Sequence, residues 1–106
     1  MVKIEWTNEA RKKIREYANY ISTESCSENV AQKWCNSVIK TISRLEIFPE
    51  SGAHYYRFKE LFPEETRYIV VGAYNVVYKF EKELNRIIIL TIHHGAQEDS
   101  LFIQRG

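Results

Sequence analysis

The stretch from residue 67 to residue 95 constrains the fold most, because it reads as three consecutive β-strands. Tyr68 to Val71 is a short apolar run that ends at Gly72-Ala73, and glycine tolerates the positive φ that a tight turn needs. From Tyr74 to Phe80 the side chains alternate, which is typical of a strand with one buried face. Arg86 to Ile92 is almost wholly apolar, as a central strand would be. The stretch therefore predicts a three-strand antiparallel meander.

The same patterns predict how the last two strands pair. With a three-residue loop at Glu83-Leu84-Asn85, one face of the pair carries Phe80 opposite Ile88, Tyr78 opposite Leu90, Val76 opposite Ile92 and Tyr74 opposite His94. The other face then carries Asn75, Val77, Lys79 and Glu81 beside His93, Thr91, Ile89 and Ile87. Asn85 falls where left-handed backbone is needed, which asparagine accepts.

Before this stretch, the pattern predicts one strand and two helices. Val2, Ile4 and Trp6 alternate with polar residues, which indicates a short strand. Apolar residues then recur at helical spacing, and Thr7 and Ser27 are good N-caps for the two helices. We therefore predict an α+β fold: an N-terminal strand, a two-helix antiparallel hairpin over residues 7 to 48, then the meander. Its antiparallel sheet would comprise residues 2–6, 67–71, 74–82 and 86–93, with both helices on one face.

Length and composition narrow the possible functions. A chain of 106 residues fits one domain, spanning residues 1–106. Fifteen Lys and Arg against fourteen Asp and Glu leave a net charge of +1, whereas proteins that capture phosphate backbones are clearly basic. No apolar run approaches the roughly 20 residues of a membrane span, and the N-terminus lacks a signal-peptide core. We therefore expect a cytoplasmic protein without membrane contact.

Two surfaces could bind a partner. The first helix carries Arg11, Lys12, Lys13 and Arg15 on its outward face, which is either a partner site or a solvated helix face. Near the C-terminus, the apolar trio Leu101-Phe102-Ile103 is expected to dock on the domain or on a partner. Cys26 and Cys35 fit no metal-ligand spacing and are expected to be reduced thiols. No cofactor or metal is predicted.

The order of strand, two helices and three antiparallel strands resembles the RelE/ParE toxin superfamily of bacterial toxin–antitoxin systems, over nearly the whole chain. The residues that carry the resemblance are Arg67 at the start of a strand, the hairpin segment Tyr74-Asn75-Val76-Val77-Tyr78, and His94-Gly95 after an Ile/Leu-rich strand. The details look closest to the ParE-like branch, in which the last strand typically runs into a His-Gly-x-Arg-Asp ending. Here Gln97 stands in place of that arginine.

The resemblance implies a toxin that forms a complex with a cognate antitoxin. ParE-like toxins bind DNA gyrase without catalysis of their own, whereas RelE-like toxins cleave mRNA on the ribosome. A third alternative is a divergent, non-toxic member that only binds its antitoxin. We expect the antitoxin to be acidic where it meets Arg11, Lys12 and Arg15.

Cleavage of mRNA would require a base for the ribose 2′-hydroxyl, a cation for the phosphorane and an acid for the leaving oxygen. The candidates for these roles are His93, His94, Arg67, Lys79, Arg86 and Tyr78. The alternative interpretation makes the histidines structural and the arginines ion-pair partners. The balanced charge of the chain favours binding of gyrase over cleavage of RNA.

Overall fold

A computed structural model describes residues 2–54 and 66–95 of the chain. In chain order the elements are β1 (Lys3–Trp6), α1 (Asn8–Ser25), α2 (Glu28–Ser43), a 3₁₀ turn (Arg44–Glu46), β2 (Ala53–His54), β3 (Arg67–Val71), β4 (Tyr74–Glu81) and β5 (Arg86–His94). The α+β class, the N-terminal strand and the helical hairpin predicted from the sequence are confirmed.

Both helices begin at the residues that the sequence indicated. The Thr7 side chain accepts a hydrogen bond from the backbone N–H of Ala10 at 3.1 Å, and Ser27 does the same for Val30 at 3.3 Å. Between the helices, Cys26 adopts a left-handed conformation with φ of 54° and reverses the chain. These caps satisfy backbone donors that helix starts otherwise leave unpaired.

The sheet has the strand order β1-β5-β4-β3-β2. The three strands β3, β4 and β5 form the predicted antiparallel meander. However, β1 pairs with β5 in parallel, from Lys3 opposite Arg86 to Trp6 opposite Ile89. The sheet is therefore mixed, and the prediction of an entirely antiparallel sheet was wrong. Alternation within β1 tells which face is buried, but it carries no information about which strand lies alongside or in which direction.

The register of β4 and β5 follows the prediction only as far as Val77. Tyr74 lies opposite His94 and Val76 opposite Ile92 as expected, but the register then shifts by one residue. Beyond the shift the pairs are Tyr78–Ile89, Lys79–Ile88, Phe80–Ile87 and Glu81–Arg86. The predicted pairs of Tyr78 with Leu90 and of Phe80 with Ile88 were therefore wrong.

The cause of this shift is a β-bulge that places one extra residue, Leu90, in β5. An extra residue reverses the alternation of side chains along the rest of the strand. Ile87 and Ile89 consequently belong to the main core instead of the opposite face. The loop between β4 and β5 has four residues, Lys82 to Asn85, so the predicted three-residue loop was wrong. Asn85 does adopt the predicted left-handed conformation, with φ of 51°.

The main core lies between the helices and one face of the sheet. Its buried side chains are Ala10, Tyr17, Val38, Ile42, Leu45, Val71, Tyr74, Val76, Tyr78, Ile87, Ile89 and Ile92. On the other face, Val77 is fully buried with Tyr68 and Leu90 packed against it. Both helices thus cover one face, as predicted. Within the described ranges, no helix is long and apolar enough to cross a membrane.

Candidate functional site

Two of the candidate catalytic side chains, Arg67 and Tyr78, hold the turn that leads into β2. The guanidinium of Arg67 donates hydrogen bonds to the carbonyl oxygens of Glu50 at 3.0 Å and Gly52 at 2.9 Å. The Tyr78 hydroxyl donates to the carbonyl of Pro49 at 2.9 Å and accepts from the backbone N–H of Gly52 at 2.9 Å. Together these bonds satisfy backbone groups that have no partner in a regular strand or helix.

The hydroxyl of Tyr78 is poorly placed to act as an acid. Its side chain is fully buried, and burial raises the pKa of the phenol above its usual value, although the Gly52 hydrogen bond and the nearby Arg67 oppose this rise. The packing is tight as well, since a Cβ atom on Gly52 would lie 2.5 Å from the Tyr78 hydroxyl. We refer to Pro49, Gly52, Arg67 and Tyr78 as the turn clamp.

Lys79 and Arg86 belong to a second cluster, at the far end of the β4–β5 hairpin. Arg86 bonds the carboxylate of Glu81 through its Nε atom and that of Glu5 through Nη1 at 3.2 Å. The Lys79 ammonium lies 3.6 Å from the other oxygen of Glu81. The hydrogen bond from Arg86 is the main cause of a lowered pKa for Glu81, and Glu81 in turn raises the pKa of Arg86. Both cations therefore face carboxylates, which would repel a phosphate.

The two histidines lie on opposite faces of the sheet. His93 pairs with Asn75 on the face away from the helices, and His94 pairs with Tyr74 on the helix face. The backbone N–H of His94 donates to the Tyr17 hydroxyl at 3.2 Å, and its ring meets that of Tyr74 edge-on at a centroid distance of 5.0 Å. A single substrate cannot contact both histidine rings from one side of the sheet.

The predicted partner surfaces are only partly described. Arg11, Lys12 and Arg15 are all exposed on α1. Lys12 lies 3.9 Å from the carboxylate of Glu16 one turn along the helix. Leu101, Phe102 and Ile103 lie outside the described residues, so the predicted docking of this trio stays a prediction.

The six candidate catalytic residues thus do not converge on one point. Arg67 and Tyr78 lie in the turn clamp, and Lys79 and Arg86 lie in the Glu81 cluster, which comprises Glu5, Lys79, Glu81 and Arg86. His93 shares the sheet face of Lys79 but lies toward the other end of β4, opposite Asn75, and His94 lies on the helix face. In residues 2–54 and 66–95, no group of three or more His, Cys, Asp or Glu side chains is arranged to hold a metal ion. The two cysteines are free thiols, and burial raises the pKa of Cys35 above its usual value, which disfavours the reactive thiolate.

Sequence reasoning missed one feature, a cavity of ≈ 330 Å³ between α1 and the adjoining ends of β4 and β5. Its lining residues are Glu16, Tyr17, Tyr20, Tyr74 and His94. The spacing of Glu16, Tyr17 and Tyr20 along a helix could have pointed to it. The contribution of the two strands could not have been foreseen in the same way, because it depends on how the sheet packs on the helix.

The order of elements and the one-sided helical hairpin are those expected of a small α+β toxin of the RelE/ParE type. A family model described as the ParE toxin of the type II toxin–antitoxin system parDE matches residues 4–99. The chain therefore belongs to the ParE toxin family, and the partner implied by that family is a cognate antitoxin. A search of curated proteins gave no match to the chain.

Proposed function

We propose that this toxin arrests growth by binding DNA gyrase in the cytoplasm, without catalysing a reaction of its own, and that its cognate antitoxin neutralises it. The observation that carries the proposal is the separation of the candidate catalytic side chains. Metal-independent cleavage of RNA needs an acid, a base and a phosphate-binding cation that converge on one phosphodiester. The match to the ParE toxin family supports the same target.

The partners of each cation support a structural role over a catalytic one. Arg67 is committed to two backbone carbonyls and lies 3.7 Å from the carboxylate of Glu50. Arg86 is held between the carboxylates of Glu5 and Glu81. Releasing either guanidinium to bind a phosphate would break these bonds and leave carboxylates near the substrate, which costs binding energy.

Binding makes smaller demands on the molecule than cleavage. It requires an accessible surface with complementary charge and shape. The exposed face of α1 with Arg11 and Arg15 is one candidate for this surface, and the apolar trio at Leu101-Phe102-Ile103 is a second candidate from the sequence. We propose that both contribute to partner binding.

Substitution of two of the candidate catalytic residues tests this proposal. The variants His93→Ala and Lys79→Ala should arrest growth on induced expression about as strongly as the parent, provided that they remain folded. His54→Ala, at an exposed histidine in β2, is the matched control. Deletion of residues 97–106 should weaken the arrest, because it removes the apolar trio.

Transcript integrity in the same cultures separates the alternatives. Gyrase binding predicts that full-length mRNA persists during growth arrest. A folded His93→Ala protein that has lost toxicity, together with cleaved mRNA in the parent culture, would establish the RelE-like nuclease instead. A folded parent that co-purifies with its antitoxin but never arrests growth would identify the non-toxic alternative.

A further inference from the structure

The residues that line the cavity beside α1 have no role in gyrase binding, RNA cleavage or antitoxin binding as described above. Three of its residues, Glu16, Tyr17 and Tyr20, come from one face of α1, while Tyr74 begins β4 and His94 ends β5. Its volume of ≈ 330 Å³ is within the range of sites that take a small ligand or a single side chain.

The aromatic rings of the cavity form adjoining walls and do not stack on one another. The rings of Tyr17 and Tyr74 have centroids 4.9 Å apart with an angle of 62° between their planes, and Tyr74 and His94 meet at 87°. Trp34 supports Tyr74 with a centroid distance of 4.9 Å. These mutual contacts hold the walls in place before any ligand arrives, which reduces the entropy lost on binding.

The cavity combines these rings with a carboxylate. Glu16 has its ion-pair partners at the outer limit of contact, with Lys12 Nζ at 3.9 Å and Lys13 Nζ at 4.0 Å. Such exposed pairs are weak, so another donor can displace them at little cost. Burial raises the pKa of Tyr74, and its phenol therefore stays neutral near neutral pH. The lining thus offers π-electrons and one negative charge.

We propose that this cavity binds the arginine side chain of a partner polypeptide. A guanidinium stacks on aromatic rings through cation–π attraction and donates paired N–H groups to a carboxylate, so it matches both parts of the lining. A quaternary ammonium ion has no N–H to give Glu16, and a lysine ammonium lacks the flat shape. Tyr20 lines the cavity and has 58 % of its surface exposed, so a partner segment can reach its ring from solvent.

Two capped tripeptides test the proposal on the purified full chain by NMR. The first is acetyl-Gly-Arg-Gly-amide, and the second replaces arginine with citrulline, which keeps the shape but has no charge. The arginine peptide should shift the ring signals of Tyr20 and Tyr74 and bind roughly five- to tenfold more tightly than the citrulline peptide. Equal binding of the two peptides, or no shift at these rings, would overturn the proposal. Tetramethylammonium binding as tightly as the arginine peptide would also overturn it, in favour of a small-molecule cage.

Variants locate the binding and separate it from folding. Glu16→Gln and Tyr20→Ala should each weaken binding of the arginine peptide severalfold. The rest of the protein's NMR spectrum should stay unchanged, because Glu16 and Tyr20 are both exposed and their replacement leaves the fold intact. Glu24→Gln removes an exposed carboxylate of the same helix that is outside the lining, and it should bind like the parent. Equal effects of Glu16→Gln and Glu24→Gln would show that general charge, and not the cavity, attracts the peptide. The outcome does not depend on whether gyrase is the target.

Discussion

At the scale of single residues, the turn clamp shows how a side chain that resembles a catalytic acid serves the fold. The Tyr78 hydroxyl is the hydrogen-bond partner of both the Pro49 carbonyl and the Gly52 N–H. Tyr78→Phe would leave these backbone groups unpaired, and one such buried group costs about 1–3 kcal/mol. We expect the free energy of unfolding in urea to fall by about 2 kcal/mol. Tyr20→Phe, at an exposed position, is the control and should change it little.

The turn clamp also predicts how Tyr78→Phe affects toxicity. If growth arrest depends on binding, Tyr78→Phe should reduce toxicity only as far as it reduces the amount of folded protein. A stable Tyr78→Phe protein that no longer arrests growth would instead give the hydroxyl a role in chemistry.

The Glu81 cluster predicts a specific pH dependence. Because the hydrogen bond from Arg86 lowers the pKa of Glu81 in the folded protein, the carboxylate binds protons more weakly in the folded than in the unfolded state. Its contribution to stability is therefore fully present above the usual carboxyl pKa, near 4.5, and is lost as the pH falls through the lower folded value.

Unfolding curves of the parent and Glu81→Gln measure this contribution. The difference in the free energy of unfolding between them should be constant above about pH 6 and shrink between about pH 5 and pH 3. Glu83→Gln, in the exposed turn of the same hairpin, should track the parent throughout. If the difference in the free energy of unfolding between the parent and Glu81→Gln does not change with pH, the proposed role of the Arg86 hydrogen bond is contradicted.

At the scale of elements, Thr7 connects β1, α1 and the bulged strand. Its hydroxyl accepts from the Ala10 N–H at 3.1 Å and lies 2.9 Å from the carbonyl of Ile89 and 3.0 Å from that of Leu90, at the bulge. Thr7→Ala should lower the free energy of unfolding by about 1–2 kcal/mol. Thr7→Ser keeps the hydroxyl and should recover most of that loss. If serine is no better than alanine, the methyl group and not the cap is what matters.

The elements themselves could be predicted from the sequence because their signals are local. Thr7, Ser27 and Asn85 each satisfy a backbone requirement of their own turn or cap, and the structure places each as expected. The bulge could not be predicted, because Ile87 to Leu90 are all apolar and alternation is the only sequence signal of which face a residue takes. A run without alternation fits either register equally well.

The parallel pairing of β1 with β5 could not be predicted from the sequence for a related reason. The two strands are separated by the helical hairpin and the rest of the sheet, and their contact is decided by how these elements pack together. The same applies to the candidate site. Residue types alone suggested Arg67 and Arg86 as phosphate ligands. However, Arg67 is held by the carbonyls of Glu50 and Gly52, and Arg86 by the carboxylate of Glu5, all of which come from distant segments.

At the scale of the whole molecule, charge is nearly balanced overall but uneven in its distribution. The basic residues Arg11 and Arg15 are exposed on α1, and an acidic antitoxin segment would be attracted to them. The double variant Arg11→Glu and Arg15→Glu should therefore bind the co-expressed antitoxin more weakly, with the larger loss at low ionic strength. The double variant Lys33→Glu and Lys40→Glu, at exposed positions of α2, reverses the same number of charges and is the matched control. An unchanged affinity of the Arg11→Glu and Arg15→Glu variant for the antitoxin would show that this face of α1 is a solvated helix face and not a partner site.

The most direct test of the proposed function is DNA supercoiling by purified gyrase in the presence of the purified toxin. Binding of gyrase predicts that supercoiling falls with increasing toxin, that added antitoxin restores it, and that ribosome-bound mRNA incubated with the same preparation stays intact. Undiminished supercoiling together with cleaved mRNA would contradict gyrase binding and identify the toxin as a ribosome-dependent nuclease.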